Sequence, residues 1–269
     1  MKRVSIILIG SMVLLSMLLA ACSAATPTAA PTVATTVAPT EAPTATATAL
    51  PKIRVATDAT FKPYEYMDDS GNMVGIDIDL MTQIAAKIGV QVEWSNLPFD
   101  SAMAGISECQ YDASIAGIYI TDLRKQSMLF TDAYANAGLS VTINASNTTI
   151  NGLSDLKGKT VAAQLGTSGE EEAKKIENVK YKPYDSYELA FLDLANGQVD
   201  AVIADTPVAQ GYVKANSAKL KIAGEPFNSA DYGIAVCKTE TALRDRMNTA
   251  LQGLIKDGTV ETIIKKYNP

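Results

Sequence analysis

Residues 112–124 read DASIAGIYITDLR, and the fold follows from how that stretch is parsed. Ala113-Ser114-Ile115-Ala116 has the length and polarity of a buried strand. Gly117 frees the backbone at its end, and Thr121-Asp122 supply helix-start chemistry just before Arg124. In an open α/β sheet, ligands bind in the crevice beyond the carboxyl ends of the strands. Arg124 falls one short turn past such an end, where a guanidinium can hold a carboxylate by two parallel hydrogen bonds. A lone Arg ordinarily rests on a solvated helix face. Against that stands a second copy of the pattern.

Residues 199–206 read VDAVIADT, which parallels 111–118, YDASIAGI. Each copy has Asp-Ala, a short apolar stretch ending in Ile-Ala, and then a residue suited to a ligand. An amphipathic helical segment precedes each, residues 99–107 and 187–195. The first copy leads to a cation, Arg124, and the second to an anion, Asp205. If the two strand ends face one another, a carboxylate and an ammonium fit between them, the charge pattern of a free α-amino acid.

Strand and helix signals alternate from Lys52 onward, so α/β lobes with parallel sheets are expected. Residues 52–57 alternate as a first strand and run into a loop carrying Asp58, Phe61 and Glu65. Asp68-Asp-Ser-Gly-Asn72 is a hairpin signal. Ile76, Leu80, Ile84 and Ile88 recur at helical spacing; Asp77 and Asp79 read as capping and dipole residues at the start of that helix, and Gly89 closes it. A strand over 90–95 and helix 99–107 precede the Arg124 turn. An extended segment at 138–143 is followed by a restart of the alternation: strand 159–163, helix 170–176, strands 179–182 and 199–204, and helices at 187–195 and 207–214. Residues 232–236 are extended, and helices 242–256 and 260–266 finish the chain. The turn Gln164-Leu-Gly-Thr-Ser-Gly169 leaves backbone donors at a helix start, with Ser168 read as N-cap and Glu171 or Glu172 behind it.

Composition narrows the chemistry. The 23 Lys and Arg and 29 Asp and Glu give a net charge of −6, or −8 once Lys2 and Arg3 are set aside, and no basic run suits nucleic acid. There is no histidine, which excludes Ser-His-Asp and Cys-His nucleophiles and the commonest zinc ligand. Cys109 and Cys237 are too few for a metal cluster, and spacing does not decide between a disulfide and two buried thiols. No metal and no cofactor is called for. Lys2-Arg3 before an apolar run over residues 4–19 reads as an export signal covering residues 1–21. It ends in Leu-Ala-Ala-Cys22, which resembles the bacterial lipobox and implies a lipid on Cys22. Residues 22–51 are almost entirely Ala, Thr, Pro and Ser, a composition that cannot bury enough apolar surface to fold. They read as a stalk.

Taken in order, Ala56-Thr-Asp58-Ala-Thr-Phe61, Gly75-Ile-Asp-Ile-Asp-Leu80, Ala116-Gly-Ile-Tyr-Ile-Thr-Asp-Leu-Arg124, Phe130-Thr-Asp, Gln164-Leu-Gly-Thr-Ser168, Asp200-Ala-Val-Ile-Ala-Asp205 and Asp257-Gly-Thr resemble family 3 of the bacterial extracellular solute-binding proteins. These are the polar amino-acid-binding components of ABC importers, and the resemblance covers residues 52–269. It implies a type II periplasmic-binding-protein-like fold, two α/β lobes joined by two extended crossovers near 138–143 and 230–236. Lobe 1 would be discontinuous, residues 52–137 plus 231–269, and lobe 2 would span 138–230.

By resemblance, Arg124 grips the ligand α-carboxylate, helped by backbone donors near Ala116, Gly117 and Tyr119 and by Thr167 and Ser168. Asp205 takes the α-ammonium. Phe61 and Phe99 wall the ligand side chain and Asp58 bonds its polar end. Two positions depart from the family pattern: Tyr119 where Ser or Thr is usual, and Gln164 where Lys or an apolar residue is usual. Tyr119 should narrow the pocket. Asp58, with Glu65, favours arginine or lysine, then glutamine. The expected protein is an exported, membrane-anchored monomer that closes on its ligand and docks on a permease, without catalysis. Its rivals are a cyclohexadienyl or arogenate dehydratase-like enzyme on the same fold and a ligand-sensing receptor domain.

Overall fold

The computed structural model describes residues 50–267. The expected export signal, Cys22 and all but the last two residues of the stalk lie outside them. Strand β1 (Lys52–Thr57) buries Ile53 and Val55 alternately. A small antiparallel sheet follows, β2 (Thr60–Phe61), β3 (Glu65–Met67) and β4 (Met73–Val74), turned by Asp68, whose Oδ1 accepts from Ser70 N and Asn72 N. Helix α1 (Ile76–Ile88) buries Ile76, Leu80 and Ile84 along one stripe and ends at Gly89 in the left-handed conformation. Truncating Ile84 to Ala would cost about 2–5 kcal/mol. Next come β5 (Gln91–Asn96), α2 (Phe99–Ser107), β6 (Ala113–Ser114), a 3₁₀ turn at Arg124–Gln126, β7 (Met128–Phe130) and the long β8 (Ala135–Asn144).

The alternation then restarts with β9 (Thr160–Gln164), α3 (Ser168–Lys175), β10 (Lys180–Tyr184), α4 (Tyr187–Ala195), β11 (Ala201–Asp205) and α5 (Thr206–Ala215). Strands β12 (Leu220–Tyr232) and β13 (Ala235–Cys237) return the chain, and α6 (Thr241–Lys256) and α7 (Thr259–Tyr267) complete the described residues.

Two five-stranded sheets result, ordered β5-β1-β6-β13-β7 and β10-β9-β11-β8-β12. Each forms the centre of one α/β lobe. Strand β8 and the end of β12 are the extended crossovers, and they pair with each other, Ala135 opposite Tyr232 and Ala137 opposite Ala230. The sheets are mixed rather than parallel. β5, β1 and β6 run parallel, as do β10, β9 and β11, while β13 is antiparallel to its neighbours β6 and β7, and β8 to its neighbours β11 and β12.

Three local expectations are corrected. The strand expected through Ala116 stops at Ser114, although Ile115 N still donates to Ala56 O. Thr121-Asp122 open only the short 3₁₀ turn. Cys109 and Cys237, which sequence left open, are joined in a disulfide with Cα atoms 5.0 Å apart. It ties the end of α2 to β13.

Candidate functional site

The strand ends of both sheets meet around one narrow cavity of about 10 Å³. From the first sheet's side, Phe61, Phe99, Gly117, Tyr119 and Arg124 line it; from the second, Thr167, Ser168 and Asp205 do. Eight of the residues singled out in the sequence are thus brought together, including the opposite charges of the two repeated stretches.

Arg124 opens its 3₁₀ turn, with Thr121 Oγ1 accepting from its N–H. Its Nη1 donates to Tyr119 O at 2.9 Å and its Nη2 to Gly166 O at 3.1 Å. The guanidinium carbon stands 5.6 Å from the centre of the Phe99 ring, so an aromatic face orients the plane while the two carbonyls fix its rotation. Burial holds the Arg124 pKa below its usual value, and the fields of Glu171, Asp205 and Tyr119 oppose that shift. Gly166 belongs to the second sheet's side, so Arg124 spans the cleft.

Gly117 has φ +54°, and a Cβ there would fall 2.4 Å from a Phe61 ring carbon. Only glycine fits. Its N–H donates at 2.9 Å to Asp77 Oδ2, which also accepts from the Tyr134 hydroxyl at 2.9 Å. The backbone donor expected to reach a ligand from Gly117 is therefore committed to Asp77. Asp77 does stand in the first turn of α1, but it is fully buried, and through that bond it braces the cavity floor. Asp79 is the surface member of the pair, accepting from Lys266 and Tyr267.

Glu65 stands behind Asp77 and does not line the cavity. Neither Glu65 oxygen nor Asp77 Oδ1 has an N–H or hydroxyl donor. A proton kept on Glu65 supplies the missing bond: burial, and then the charge of Asp77, push the Glu65 carboxyl well above the usual range. Burial also raises Asp77 to about 6, while Gly117 N, Glu65 and Tyr134 pull it down. The expected role of Glu65 beside Asp58 in ligand selection gives way to a structural one. Ala116 likewise does not line the cavity; it packs into an apolar cluster with Phe99, Ile106 and Ile118.

Asp205 ends β11 and is 3% exposed. Its Oδ2 accepts from the Tyr232 hydroxyl. Burial pushes its carboxyl up to about 7, against the pull of Tyr232, Arg124 and Tyr119. Tyr119 does narrow the cavity: its ring lies 4.9 Å from that of Tyr232 and its hydroxyl donates to Ala137 O at 3.2 Å.

In the β9–α3 turn, Thr167 rather than Ser168 is the N-cap. Its backbone is extended, and its Oγ1 accepts from Glu170 N at 3.2 Å. Glu170, not Glu171 or Glu172, closes the turn, Oε2 accepting from Gly166 N at 2.6 Å. The cap falls one residue early because Gly166, at φ +75°, sends the chain straight into the helix. Ser168 is thereby spared the capping role and lines the cavity.

Asp58 and Gln164 do not line the cavity directly; they bond to each other. Gln164 Nε2 donates to Asp58 Oδ2 at 2.5 Å and to Asp185 O at 2.9 Å, while Asp58 Oδ1 accepts from Thr60 Oγ1 at 2.8 Å. Burial raises the Asp58 carboxyl, and the hydrogen bonds from Thr60, Gln164 and Phe99 N oppose it.

Residues 53–269 match the bacterial extracellular solute-binding proteins, family 3. This chain belongs to that family. Among curated relatives, the putative ABC transporter arginine-binding protein 2 of Escherichia coli K12 is 38% identical over 227 residues, 82% of this chain and 92% of that protein. Among solved structures, an ancestral arginine-binding protein bound to arginine superposes with a TM-score of 0.78 at 42% identity, over 80% of this chain and 97% of its own. An ancestral arginine-binding protein bound to glutamine gives 0.77 at 43%, with the same coverage. The family 3 fold is thus carried by this chain.

Four tyrosines that sequence reading passed over stand behind the walls. Tyr232, on the returning crossover, holds Asp205; Tyr134 holds Asp77; the Tyr187 hydroxyl reaches Thr167 Oγ1 at 3.4 Å; and the Tyr64 ring meets that of Tyr232 edge-on at 5.1 Å. The available signal was compositional, 11 Tyr against 5 Phe. A phenol buries a ring while bringing a donor, as a cleft of carboxylates requires.

Proposed function

We propose that this family member captures a free polar amino acid outside the membrane and hands it to an ABC transporter permease by lobe closure. Arginine or lysine is favoured and glutamine is next. The observation that carries the reading is the placement of Arg124 and Asp205 on one cavity, from opposite sheets. Arg124 takes the α-carboxylate as a charge-assisted fork, with Ser168 and Thr167 beside it, and Asp205 takes the α-ammonium. Phe61 and Phe99 wall the side chain. The names of the relatives support amino acids as the ligand class and ABC import as the destination. Those relatives are called binding proteins, which favours capture without catalysis.

Lobe 1 comprises residues 52–137 plus 231–269 and lobe 2 residues 138–230, hinged at the paired crossovers. The lobes close as rigid bodies. Three bonds across the cleft support a closed form: Arg124 to Gly166 O, Gln164 to Asp58, and the Tyr212 hydroxyl to Thr60 O at 3.3 Å. The protein works as a monomer, exported and held at the membrane by a lipid on Cys22 through the 22–51 stalk.

The test is a thermal-shift screen against the twenty amino acids plus arogenate and prephenate. A ligand at about 100 times its Kd adds about 2.7 kcal/mol to the native state. A clear rise in Tm with arginine, lysine or glutamine is expected. No rise with any amino acid would overturn the reading, and a response to arogenate or prephenate alone would replace it with the dehydratase.

A further inference from the structure

The arc that brings Gly117, Tyr119 and Arg124 to the cavity leaves the first sheet at Ser114 and re-enters it at Met128. Strand β13 lies between those two ends. Its Ala235 pairs with both Ser114 and Phe130, and the edge strand β7 has no other neighbour in the sheet. The Lys238 ammonium, one residue past β13, donates to Gln126 O in the Arg124 turn. β13 therefore sets the spacing of the arc's ends. Yet it reaches this sheet only after the chain has run through β8 to β12, so local sequence does not fix its place.

The other half of the grip comes from α2. Its first residue, Phe99, sets its ring 5.6 Å from the Arg124 guanidinium carbon. Beneath them a small apolar cluster, separate from the main core, joins Phe99 and Ile106 of α2, Ile118 of the arc, Met128 and Phe130 of β7, and Cys237 of β13. The disulfide fastens that cluster, because Cys237, 3% exposed, is bonded to Cys109 two residues past the end of α2. Helix, arc, strand and disulfide thus make a closed frame. Phe99 and Arg124 occupy its cleft side, and the sulfurs lie about 13 Å away, at the opposite end of the nine-residue helix.

We propose that the Cys109–Cys237 disulfide is a positioning device for ligand capture: by fixing α2 against β13 it holds the Phe99 ring to the Arg124 guanidinium, and so the guanidinium to the carboxylate it receives. Neither sulfur touches the ligand. Geometry set before the ligand arrives returns as affinity, since less has to be ordered on binding. The intact bond suits an oxidising compartment outside the membrane. A dithiol that opens it, giving two electrons and two protons to the sulfurs and closing to its own disulfide, lowers affinity without removing any ligand contact. The inference rests on the amino-acid reading of the cavity.

The test is calorimetry of the full chain with arginine, lysine and glutamine, at a temperature where thermal melts show each variant folded. Relative to the wild type, Cys109→Ala/Cys237→Val is expected to bind about tenfold more weakly whichever of the three is taken up. The same two substitutions are then made in Arg124→Lys, which keeps a cation but has no planar fork for Phe99 to hold. There they should cost less than about twofold. A disulfide that only stabilises the fold would leave wild-type affinity unchanged or lower it equally in both backgrounds; either result overturns the inference while the amino-acid reading stands. A wild type that binds none of the three overturns both. If Cys109→Ala/Cys237→Val gives no cooperative melt, Ile106→Val decides with the disulfide intact. Removing one methylene from the same cluster should weaken binding about two- to threefold, and unchanged affinity overturns the inference.

Discussion

Ligand affinity should depend on pH chiefly through one group. Asp205 must be ionised to receive an ammonium, yet burial raises its carboxyl to about 7 in the free protein. Below that value the ligand has to expel a proton. With a midpoint near 7, about nine-tenths of the sites are ionised at pH 8, about a tenth at pH 6 and about a hundredth at pH 5. The apparent Kd should therefore rise about tenfold from pH 8 to pH 6 and about tenfold again by pH 5, roughly 1.4 kcal/mol per step. The other groups facing Asp205 do not titrate in this window. Tyr119 and Tyr232 are raised further from neutrality, chiefly by burial, and Arg124 stays charged. Calorimetry at pH 5, 6, 7 and 8, in buffers of different ionisation enthalpy, reads both the Kd and the protons released. About one proton per ligand is expected at pH 6 and close to none at pH 8. Asp205→Asn should bind weakly and without this pH dependence. A constant affinity from pH 6 to 8 with no proton release would refute the reasoning.

Three further outcomes are expected. Arg124→Ala leaves the ligand carboxylate without its fork and should lower affinity by at least about a hundredfold, some 3 kcal/mol; unchanged affinity in a calorimetric titration would remove Arg124 from the site. Tyr232→Phe removes the hydroxyl that holds Asp205 down, so the midpoint of the affinity profile should move above 7, and a midpoint that stays put or falls would contradict that role. Glu65→Gln keeps a donor for Asp77 but has no proton to lose. Because Glu65 and Asp77 are both raised in the fold, the wild type loses stability as pH climbs from about 4 through those raised values, by up to about 1.4 kcal/mol per unit for each group. Urea unfolding at pH 5, 6.5 and 8 should show a shallower loss for the variant, and equal slopes would sink the proton-sharing account.

The sequence carried the site where chemistry was local. The echo of YDASIAGI in VDAVIADT placed Arg124 and Asp205 at equivalent strand ends, and both line the cavity. Thr167 and Ser168 were legible from the turn that follows a strand end, and Phe61 and Phe99 from the family resemblance. What escaped was set by partners distant in the chain. Asp77 sits where a dipole residue would, and only the approach of Gly117, 40 positions later, shows it to be a buried brace. Tyr232 meets Asp205 because the crossover strands pair, and the 128-residue separation of Cys109 and Cys237 carries no distance. The antiparallel strands were missed because helix–strand alternation reports connections, not the direction in which a crossover enters a sheet.

The partners that sequence missed also explain how a site with full charges stays folded. Arg124 rests on two carbonyl oxygens, Tyr119 O and Gly166 O, and Asp205 on the Tyr232 phenol. Each partner is neutral, so it satisfies the buried charge without cancelling it. Hydrogen bonds in which both partners are charged are the stronger kind. A carboxylate offered to Arg124, or an ammonium offered to Asp205, therefore displaces a weaker bond with a stronger one and leaves no buried charge bare at either stage. A ligand carrying only one of the two charges improves only one half of the exchange, and for that reason the cleft should discriminate against amines and simple carboxylic acids as firmly as it reads side chains.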